Sequence, residues 1–280
     1  MIVERIAAFT AGGQGGNPAG VVIADRMPDP VEMQATAREV GYAETAFAAP
    51  LTGGGWRVRY FAPEAEVAFC GHATIALGAA LGRRNGPGSY ALTLNEATIA
   101  VETDGEGSAT LISPPSRSSS LETGLRDVLL GHFGLSAADL DLRLPPRLGD
   151  AGNRHPILFL KDRARLAAMA YPFQPVKALM EVERWTTICL AVADGPALFH
   201  VRNAFAIGGL VEDPATGAAA AALAGALVDL GWPGMPGGRF TIRQGKDMGV
   251  PCEIRVEAPA SPGGRVRLSG ATRTLPDPAA

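Results

Sequence analysis

The sequence has little cysteine and no excess of charge of either sign. Its three cysteines, Cys70, Cys189 and Cys252, are far apart and form no C-x-x-C pair, so the sequence predicts neither a disulfide framework nor a zinc site. It holds 25 Lys and Arg against 28 Asp and Glu, a net charge of −3, with no long basic run. Because nucleic-acid binders and proteins of anionic membrane surfaces need a basic face, both classes are excluded.

Long apolar segments are also absent. No stretch approaches the roughly 20 residues of a transmembrane helix. The first residues, with Glu4 and Arg5 among them, do not predict a signal peptide, and the unpaired cysteines favour a reducing compartment. We therefore expect a cytoplasmic protein. Hydrophobic residues make up 47% of the 280, enough for a buried core, and the 35 Gly and 22 Pro predict many turns and short elements.

Alternation and turn residues predict short strands interrupted by a few helices. The glycine-rich segment 12–16 is not a dinucleotide-binding loop, because Pro18 and a β-branched run follow it where a helix is needed. Strands are expected over residues 2–9, 20–24, 43–49, 56–61, 90–102, 108–113 and 265–275, helices from Asp29 to Val40 and from Gly71 to about Gly82, and a linker over residues 114–120.

The second half of the sequence repeats the order of elements in the first. The alanine-rich segment after Gly217 matches the one after Gly71 at five positions, with an offset of 146 residues (217 − 71). This indicates two related α/β halves, each a strand-rich layer around a small-residue helix. We expect the N-terminal domain in residues 1–115 with a returning strand at about 266–280, and the C-terminal domain in residues 116–265.

The first candidate for chemistry is Glu44. It lies among Ala43, Ala46 and Phe47, in a segment whose alternation puts it on one face with Ala46. An acid with apolar neighbours tends to have a raised pKa, which suits a group that transfers protons. A solvent-exposed glutamate on the outer face of a strand is the simpler alternative.

Two further candidates stand at predicted helix starts. His72 follows Cys70 and Gly71 at one start, where the helix dipole favours a neutral ring and backbone N–H groups can hold an anion, although capping alone also explains it. Asp213 begins an Asp-Pro-Ala-Thr-Gly segment before the other helix, where a cap is again the simpler explanation. If the two halves face each other, both starts enter one cleft that binds an anion without a Lys or Arg cluster.

Six segments of the sequence are informative together. They are Gly16-Asn-Pro-Ala-Gly20, Glu44-Thr-Ala-Phe47, Arg59-Tyr-Phe-Ala-Pro63, Phe69-Cys-Gly-His-Ala-Thr74, Glu212-Asp-Pro-Ala-Thr-Gly217 and Gln244-Gly-Lys-Asp-Met-Gly249. In this order, and across nearly the whole chain, they resemble the PhzF-like family, the phenazine-biosynthesis isomerases and their relatives. The resemblance implies a diaminopimelate-epimerase-like α/β (α+β) fold of two pseudo-symmetric domains, each a mostly antiparallel sheet around a central helix. It also implies a cofactor-free homodimer with the active site between the domains.

The resemblance assigns roles to residues of this chain. Glu44 is the expected base, and His72 and Asp213 complete the expected catalytic set, with no metal. The expected substrate-binding residues are Asn17, Gly71, Ala73, Thr216, Gly217 and Ala218.

Two positions depart from the family pattern. Ala218 stands where the family has a serine that contacts a substrate carboxylate, and the early segment Ala7-Ala8-Phe9 lacks the aspartate of the usual Asp-Ala-Phe. Related epimerases and racemases use two thiols, one on each face of the carbon. Cys70 supplies one, but the facing motif offers Pro214 and Ala215, which disfavours two-thiol racemisation.

The sequence therefore predicts a cofactor-independent isomerase that shifts a proton within a small anionic carboxylic acid, with Glu44 as general acid and base. Helix-start amides at residues 71–73 and 217–218 are expected to hold carboxylate or enolate charge. Two alternatives stay open. One is an epimerase or lyase of the same fold, and the other is a non-catalytic small-molecule-binding or accessory protein, which Ala218 favours.

Overall fold

The chain divides into two compact units in a computed structural model that describes residues 1–235 and 237–276. Unit 1 comprises Met1–Ile112 with the chain from Ser269, and unit 2 comprises Ser113–Leu268. Among the described residues, every helix is too short or too polar to cross a membrane.

Unit 1 is built from strands and two helices. Its elements are β1 (Glu4–Thr10), β2 (Asn17–Ile23), α1 (Pro30–Val40), β3 (Thr45–Pro50), β4 (Trp56–Phe61), β5 (Glu66–Val67), α2 (Gly71–Asn85), β6 (Gly88–Thr93), β7 (Thr98–Thr103), β8 (Ser108–Pro115) to the boundary of the unit, and the end of β17 (Arg265–Thr274).

Helix α1 has the bounds that the sequence predicts, because its signals are local. The Asp29 carboxylate accepts a hydrogen bond of 2.8 Å from the Val31 N–H, Pro30 occupies the first turn, and Gly41 ends the helix at φ +70°. The apolar side of α1, with Met33 and Ala37, is buried against Phe47 and other core residues.

Helix α2 is the centre of unit 1. Residues 72–82 are all buried, and strands β1, β2, β3, β6 and β7 contact the helix. Small residues make this possible: a Cβ added to Gly78 would lie 2.4 Å from Cγ2 of Val101 in β7. The alanine and glycine content of α2 therefore reflects close approach of strands on several sides rather than helix propensity.

The strand pairings of unit 1 follow a simple order. β1 pairs antiparallel with β2, β2 parallel with β3, β3 antiparallel with β4, β4 parallel with β6, and the meander β6–β7–β8 is antiparallel. The short β5 pairs antiparallel with β4, and β17 pairs with β1, placing Ile6 opposite Thr274.

Unit 2 repeats the strand pairings of unit 1. Its elements are β9 (Arg117–Ser120), α3 (Thr123–His132), β10 (Arg147–Asp150), β11 (Arg154–Leu160), α4 (Arg163–Ala167), α5 (Phe173–Glu183), β12 (Ile188–Ala193), β13 (Leu198–Ala204), β14 (Glu212–Asp213), α6 (Gly217–Asp229), β15 (Arg239–Gln244), β16 (Cys252–Glu257) and the start of β17. The β10–β11 pair is antiparallel, β11–β12 parallel, β12–β13 antiparallel, β13–β15 parallel and β15–β16 antiparallel, with the short β14 on β13.

Helix α6 occupies in unit 2 the place that α2 has in unit 1. It is buried along nearly its whole length and is contacted by β9, β10, β11 and β16. A Cβ on Gly225 would lie 2.8 Å from Oγ of Ser116, so this helix also depends on a glycine where another segment crosses it closely.

Three predictions about local structure were wrong. Residues 90–102 form two strands rather than one, because a turn with the Leu94 N–H bonded to the Ala97 carbonyl divides them. Residues 114–120 are not a linker: β8 runs to Pro115 and β9 pairs with β10. The Asp229 carboxylate accepts hydrogen bonds from both the N–H and the hydroxyl of Ser118, a long-range contact that holds this serine-rich segment in the sheet.

The third concerns the alternation expected over residues 43–49. Strand β3 is buried on both faces from Thr45 to Ala49, so it has no solvent-exposed side. Glu44 precedes the strand rather than lying within it.

Candidate functional site

Glu44 is fixed at the entrance to β3 by its neighbour strand. The Gly20 N–H in β2 donates a hydrogen bond of 3.2 Å to the Glu44 carbonyl. Gly20 itself must be small, because a Cβ there would lie 2.7 Å from Oγ1 of Thr45. The backbone of Glu44 is thus set by a close strand contact, while its side chain stays 14% exposed.

His72 lies beside Glu44. Its Nε2 atom is 3.4 Å from Oε2 of Glu44, and the histidine is buried as the second residue of α2. Burial lowers the pKa of His72 to about 4, and a hydrogen bond to the backbone of Pro18, whose carbonyl is its acceptor, opposes this shift. The ring is therefore neutral at neutral pH, and its contact with Glu44 joins a carboxyl group to a neutral imidazole.

Cys70 completes this cluster. It is the N-cap residue of α2, and its Sγ atom lies 3.3 Å from Nδ1 of His72. The Thr74 hydroxyl donates to the Cys70 carbonyl at 2.7 Å and lies 2.7 Å from the Tyr60 hydroxyl. Burial raises the pKa of Tyr60, so this hydroxyl stays protonated and holds the helix start in place.

The start of α2 suits an anionic group. The side chain of Cys70 makes no capping hydrogen bond to the first turn, and Gly71, which is partly exposed, has no side chain to cover it. The N–H groups of residues 71–73 and the positive end of the helix dipole thus lie beside Glu44 and His72. Unit 1 alone therefore combines a partly exposed carboxyl group, a neutral imidazole and helix-start N–H groups.

In unit 2, Asp213 is part of a buried hydrogen-bonded turn. Its Oδ2 atom accepts a bond of 2.6 Å from the hydroxyl of Thr216, the N-cap residue of α6. The Gln244 side chain donates to the Asp213 carbonyl at 2.7 Å and to the Thr216 hydroxyl at 3.1 Å. Gln244 also accepts a bond of 3.3 Å from the Thr216 N–H. These contacts fix the Asp213 carboxyl group relative to the start of α6.

Gln244 is a site residue to which the sequence assigned no role. It ends β15, and Gly245 follows at φ +73°, where a Cβ would lie 2.2 Å from the Val250 carbonyl oxygen. The glycine thus permits the tight turn that aims Gln244 at Asp213. In the sequence, Gln244 is marked only as the first residue of the Gln-Gly-Lys-Asp-Met-Gly segment. Its structural role depends on the hydrogen bond to Asp213, which lies 31 positions away in the sequence.

The other expected binding residues lie close to these two groups. Asn17 is buried as the first residue of β2, opposite Ala8 and next to Pro18, which bonds His72. Gly217 and Ala218 are the first residues of α6, and Ala218 is partly exposed. The structure thus brings Glu44 and His72 together in unit 1; their convergence with Asp213 stays a prediction.

The repeated topology allows the positions of Glu44 and His72 to be compared with the matching positions of unit 2. Glu44 immediately precedes β3, and the residue that precedes the matching strand β12 is Thr187. His72 is the second residue of α2, and the second residue of α6 is Ala218. Unit 2 therefore replaces both the carboxyl group and the imidazole of unit 1 with groups that do not exchange protons near neutral pH.

Comparison with known proteins agrees with this arrangement. A family model described as "Phenazine biosynthesis-like protein" (PhzC-PhzF) matches residues 6–276. The chain is 34% identical to an uncharacterised isomerase from Deinococcus radiodurans, covering 90% of this chain and 85% of that protein. It is 31% identical to a trans-2,3-dihydro-3-hydroxyanthranilate isomerase from Pseudomonas fluorescens, covering 95% and 94% of the two chains.

Solved structures show the same fold. A PhzF-family phenazine biosynthesis protein from Bacillus anthracis superposes with a TM-score of 0.86 at 23% identity, covering 98% of this chain and 96% of that one. A probable proline racemase from Agrobacterium radiobacter gives a TM-score of 0.66 at 14% identity, covering 99% and 92%. The mixed α/β fold is therefore diaminopimelate-epimerase-like, as predicted. With a family match over nearly all of its length and relatives above 30% identity, the chain belongs to the phenazine biosynthesis-like (PhzC-PhzF) family.

Proposed function

We propose that this protein is a cofactor-independent isomerase in which Glu44 moves a proton between two carbons of a small anionic carboxylic acid. The isomerase class rests on the family and on its relatives, among them a trans-2,3-dihydro-3-hydroxyanthranilate isomerase and an uncharacterised isomerase. The identity of the proton-transfer group rests on the site itself.

The contact between Glu44 and His72 carries the proposal. A partly exposed carboxyl group lies 3.4 Å from a buried imidazole whose pKa is lowered to about 4, so the ring stays neutral beside a group able to take a proton. The matching positions in unit 2, Thr187 and Ala218, supply neither group. This asymmetry favours one base that both removes and returns the proton over two bases on opposite faces of the carbon.

The reaction then has two balanced steps. The Glu44 carboxylate takes a proton from one carbon, the C–H electron pair moves into the adjoining π system, and the charge spreads towards the substrate carboxylate. The protonated Glu44, whose side chain is partly exposed, exchanges its proton with water and delivers a proton to a second carbon, so the enzyme ends unchanged. The N–H groups at residues 71–73 stabilise the developing negative charge, and neutral His72 lies 3.4 Å from the Glu44 carboxyl group without competing for its proton.

Asp213 takes a supporting role in this proposal. Its carboxyl group is held by the Thr216 hydroxyl, and its carbonyl by Gln244, so it is a rigid acceptor at the start of α6. We assign to it the orientation of a substrate hydroxyl or amine. The N–H groups at residues 217–218 are assigned to the substrate carboxylate.

The substrate class follows from these groups. An acid with a carbon-bound proton next to a π system fits one carboxyl base and two helix starts. Trans-2,3-dihydro-3-hydroxyanthranilate, named for the Pseudomonas fluorescens relative, is the reference compound to try first. Ala218 replaces the serine of the family pattern, so we expect a substrate that differs from it near the carboxylate.

Solvent deuterium incorporation tests the proposal. The protein is incubated in deuterated water with a panel of unsaturated and cyclic carboxylic acids, and the products are followed by NMR. Deuterium entering carbon together with a shifted double bond supports the isomerase. Deuterium at one carbon with inversion supports an epimerase of this fold, and loss of a substituent supports a lyase.

The second candidate is a non-catalytic small-molecule-binding or accessory protein. Ala218 favours this non-catalytic function, because without a serine hydroxyl the start of α6 binds a carboxylate more weakly while the fold is unchanged. A ligand that binds in calorimetry but acquires no deuterium on carbon and is recovered without a shifted double bond supports this second candidate.

We further propose that the protein is a cytoplasmic homodimer, which sedimentation equilibrium and cell fractionation test.

A further inference from the structure

Glu44, Cys70 and His72 offer three different metal-binding atoms at one place. A carboxylate oxygen, a thiol sulfur and a ring nitrogen all lie within 4.8 Å of one another. Within residues 1–235 and 237–276, no other group of three or more His, Cys, Asp and Glu side chains meets this geometry. We propose that these three side chains bind one zinc ion, and that the bound ion inhibits the protein by occupying Glu44.

The distances fit a tetrahedral ion. Zinc bonds of about 2.3 Å to sulfur and about 2.0–2.1 Å to nitrogen and oxygen place the ligand atoms about 3.4–3.5 Å apart. Nε2 of His72 lies 3.9 Å from Sγ of Cys70 and 3.4 Å from Oε2 of Glu44. The thiol sulfur and the carboxylate oxygen lie within 4.8 Å of each other, so they need to approach by at most about 1.3 Å, a movement that rotation of the partly exposed Glu44 side chain provides.

The charge of the site also fits a divalent cation. When the ion binds, the Cys70 thiol releases its proton, and the resulting thiolate and the Glu44 carboxylate together balance two positive charges. A buried ion without such balance would be costly, and the N-terminal end of α2 disfavours a cation with neutral ligands. A thiolate and an imidazole select zinc over magnesium or calcium, which prefer oxygen ligands.

The neighbours of His72 support this assignment. A histidine that binds a metal usually donates its other ring N–H to a carbonyl or carboxylate, which fixes the orientation of the ring. His72 is buried, and the backbone of Pro18 is among its hydrogen-bonding neighbours. Its ring is oriented towards the other two ligands, with Nδ1 3.3 Å from Sγ of Cys70 and Nε2 3.4 Å from Oε2 of Glu44.

Such a site differs from the zinc sites that the cysteine spacing makes improbable. The sequence has no C-x-x-C pair and so no four-ligand structural zinc site. Three protein ligands leave one position open for water or for the carboxylate of a substrate. Zinc here would bind reversibly and compete with proton transfer, because the oxygen that it occupies is the one that receives the proton.

Direct binding measurements test the site without a substrate. Metal-free protein is titrated with Zn²⁺ against a chromophoric chelator and with Co²⁺, whose absorption reports thiolate ligation. We expect one ion per chain, and a loss of affinity of at least about tenfold in both Cys70→Ser and His72→Gln. Cys252→Ser is the matched control, because this cysteine is buried in β16 of unit 2, and it should bind as the wild type does.

The outcomes separate the metal site from the proposed function. Absence of a bound ion in the wild type overturns the site. Wild-type affinity in the two variants also overturns it, once circular dichroism has verified that they are folded. If only one of the two variants folds, its affinity alone decides. Inhibition rests on the proposed isomerase: one equivalent of Zn²⁺ should lower deuterium incorporation at least about 100-fold, the scale of a general acid–base group, and a chelator should restore it. Unchanged incorporation with zinc bound overturns the inhibition, whereas no incorporation without zinc overturns the isomerase and leaves the binding result standing.

Discussion

Nε2 of His72 lies 3.4 Å from Oε2 of Glu44, and each residue stands at the first turn or entrance of its element. The contact depends on two tight packing features of unit 1: the close approach of β2 to β3 at Gly20 and the buried position of α2. A neutral imidazole beside a carboxyl group follows from burial, because burial lowers the pKa of His72 to about 4.

The first prediction separates binding from chemistry at Glu44. Glu44→Gln is nearly isosteric, so the substrate should bind within about tenfold of wild type, roughly 1.4 kcal/mol. Turnover should fall by roughly 10²–10⁴-fold, the contribution of a general acid–base group. Calorimetry and deuterium exchange on the same variant measure both quantities. Glu39→Gln, on the exposed side of α1, is the control and should change neither. Exchange near the wild-type rate in Glu44→Gln would mean that Glu44 is not the base.

The sequence predicts those features of the fold whose causes are local. Asp29, Pro30 and Gly41 set the ends of α1 through contacts within a few residues, and the structure confirms them. The sequence does not predict strand β9, because its polar segment is held by Asp229, 111 positions from Ser118. A serine-rich segment is typical of a linker, and only the contact with that distant carboxylate explains why it forms a strand.

The same distinction applies to the site. The apolar neighbours of Glu44 and the helix start at His72 marked both residues, but no local pattern shows that they touch. Gln244 shows the limit most clearly, because its hydrogen bonds to Asp213 and Thr216 join segments that only the fold brings together.

A second prediction concerns the pH dependence of stability. Burial lowers the pKa of both His72 and His155 to about 4, whereas an unfolded histidine has a pKa of about 6.5. Between these values the unfolded chain binds protons that the folded chain does not. The free energy of unfolding should therefore fall as the pH drops through this window, by up to about 3 kcal/mol for each histidine, and recover as the pH rises.

His155→Gln isolates one of these contributions. His155 is buried in unit 2, with Nδ1 2.9 Å from Oγ1 of Thr187, so the variant changes absolute stability as well as its pH dependence. The informative quantity is the slope of unfolding free energy against pH, measured by urea titration across the window. The slope should be shallower in the variant; an unchanged slope would show that His155 titrates alike in both states.

A third prediction tests why the central helices are rich in small residues. Gly78→Ala would place a Cβ 2.4 Å from Cγ2 of Val101, so overpacking should lower the free energy of unfolding by roughly 1–3 kcal/mol. Gly131→Ala in α3 meets no atom within 4 Å and should raise it by up to about 1 kcal/mol, through helix propensity. If strand packing rather than helix propensity explains the glycine in α2, urea unfolding should show a lower free energy of unfolding for Gly78→Ala and a higher one for Gly131→Ala.

The last prediction concerns Ala218, the second residue of α6, which is partly exposed where the family pattern has serine. Ala218→Ser adds one hydroxyl beside the first N–H groups of the helix, a place where serine is compatible with helix formation. A hydrogen bond to a charged group contributes about 1.5–3 kcal/mol. Binding of a carboxylate ligand from the deuterium screen should therefore tighten by roughly 10–100-fold.

The neutral carboxamide of the same ligand is the matched control for this variant. It lacks the charge that strengthens the new hydrogen bond, so its affinity should change by much less in Ala218→Ser. Calorimetry of both ligands with the wild type and the variant measures the difference directly. An equal gain in affinity for the acid and for the amide would show that the new hydroxyl does not contact the carboxylate. No gain for either ligand would show that the start of α6 does not bind the acid, and the carboxylate would then be assigned to the start of α2 alone.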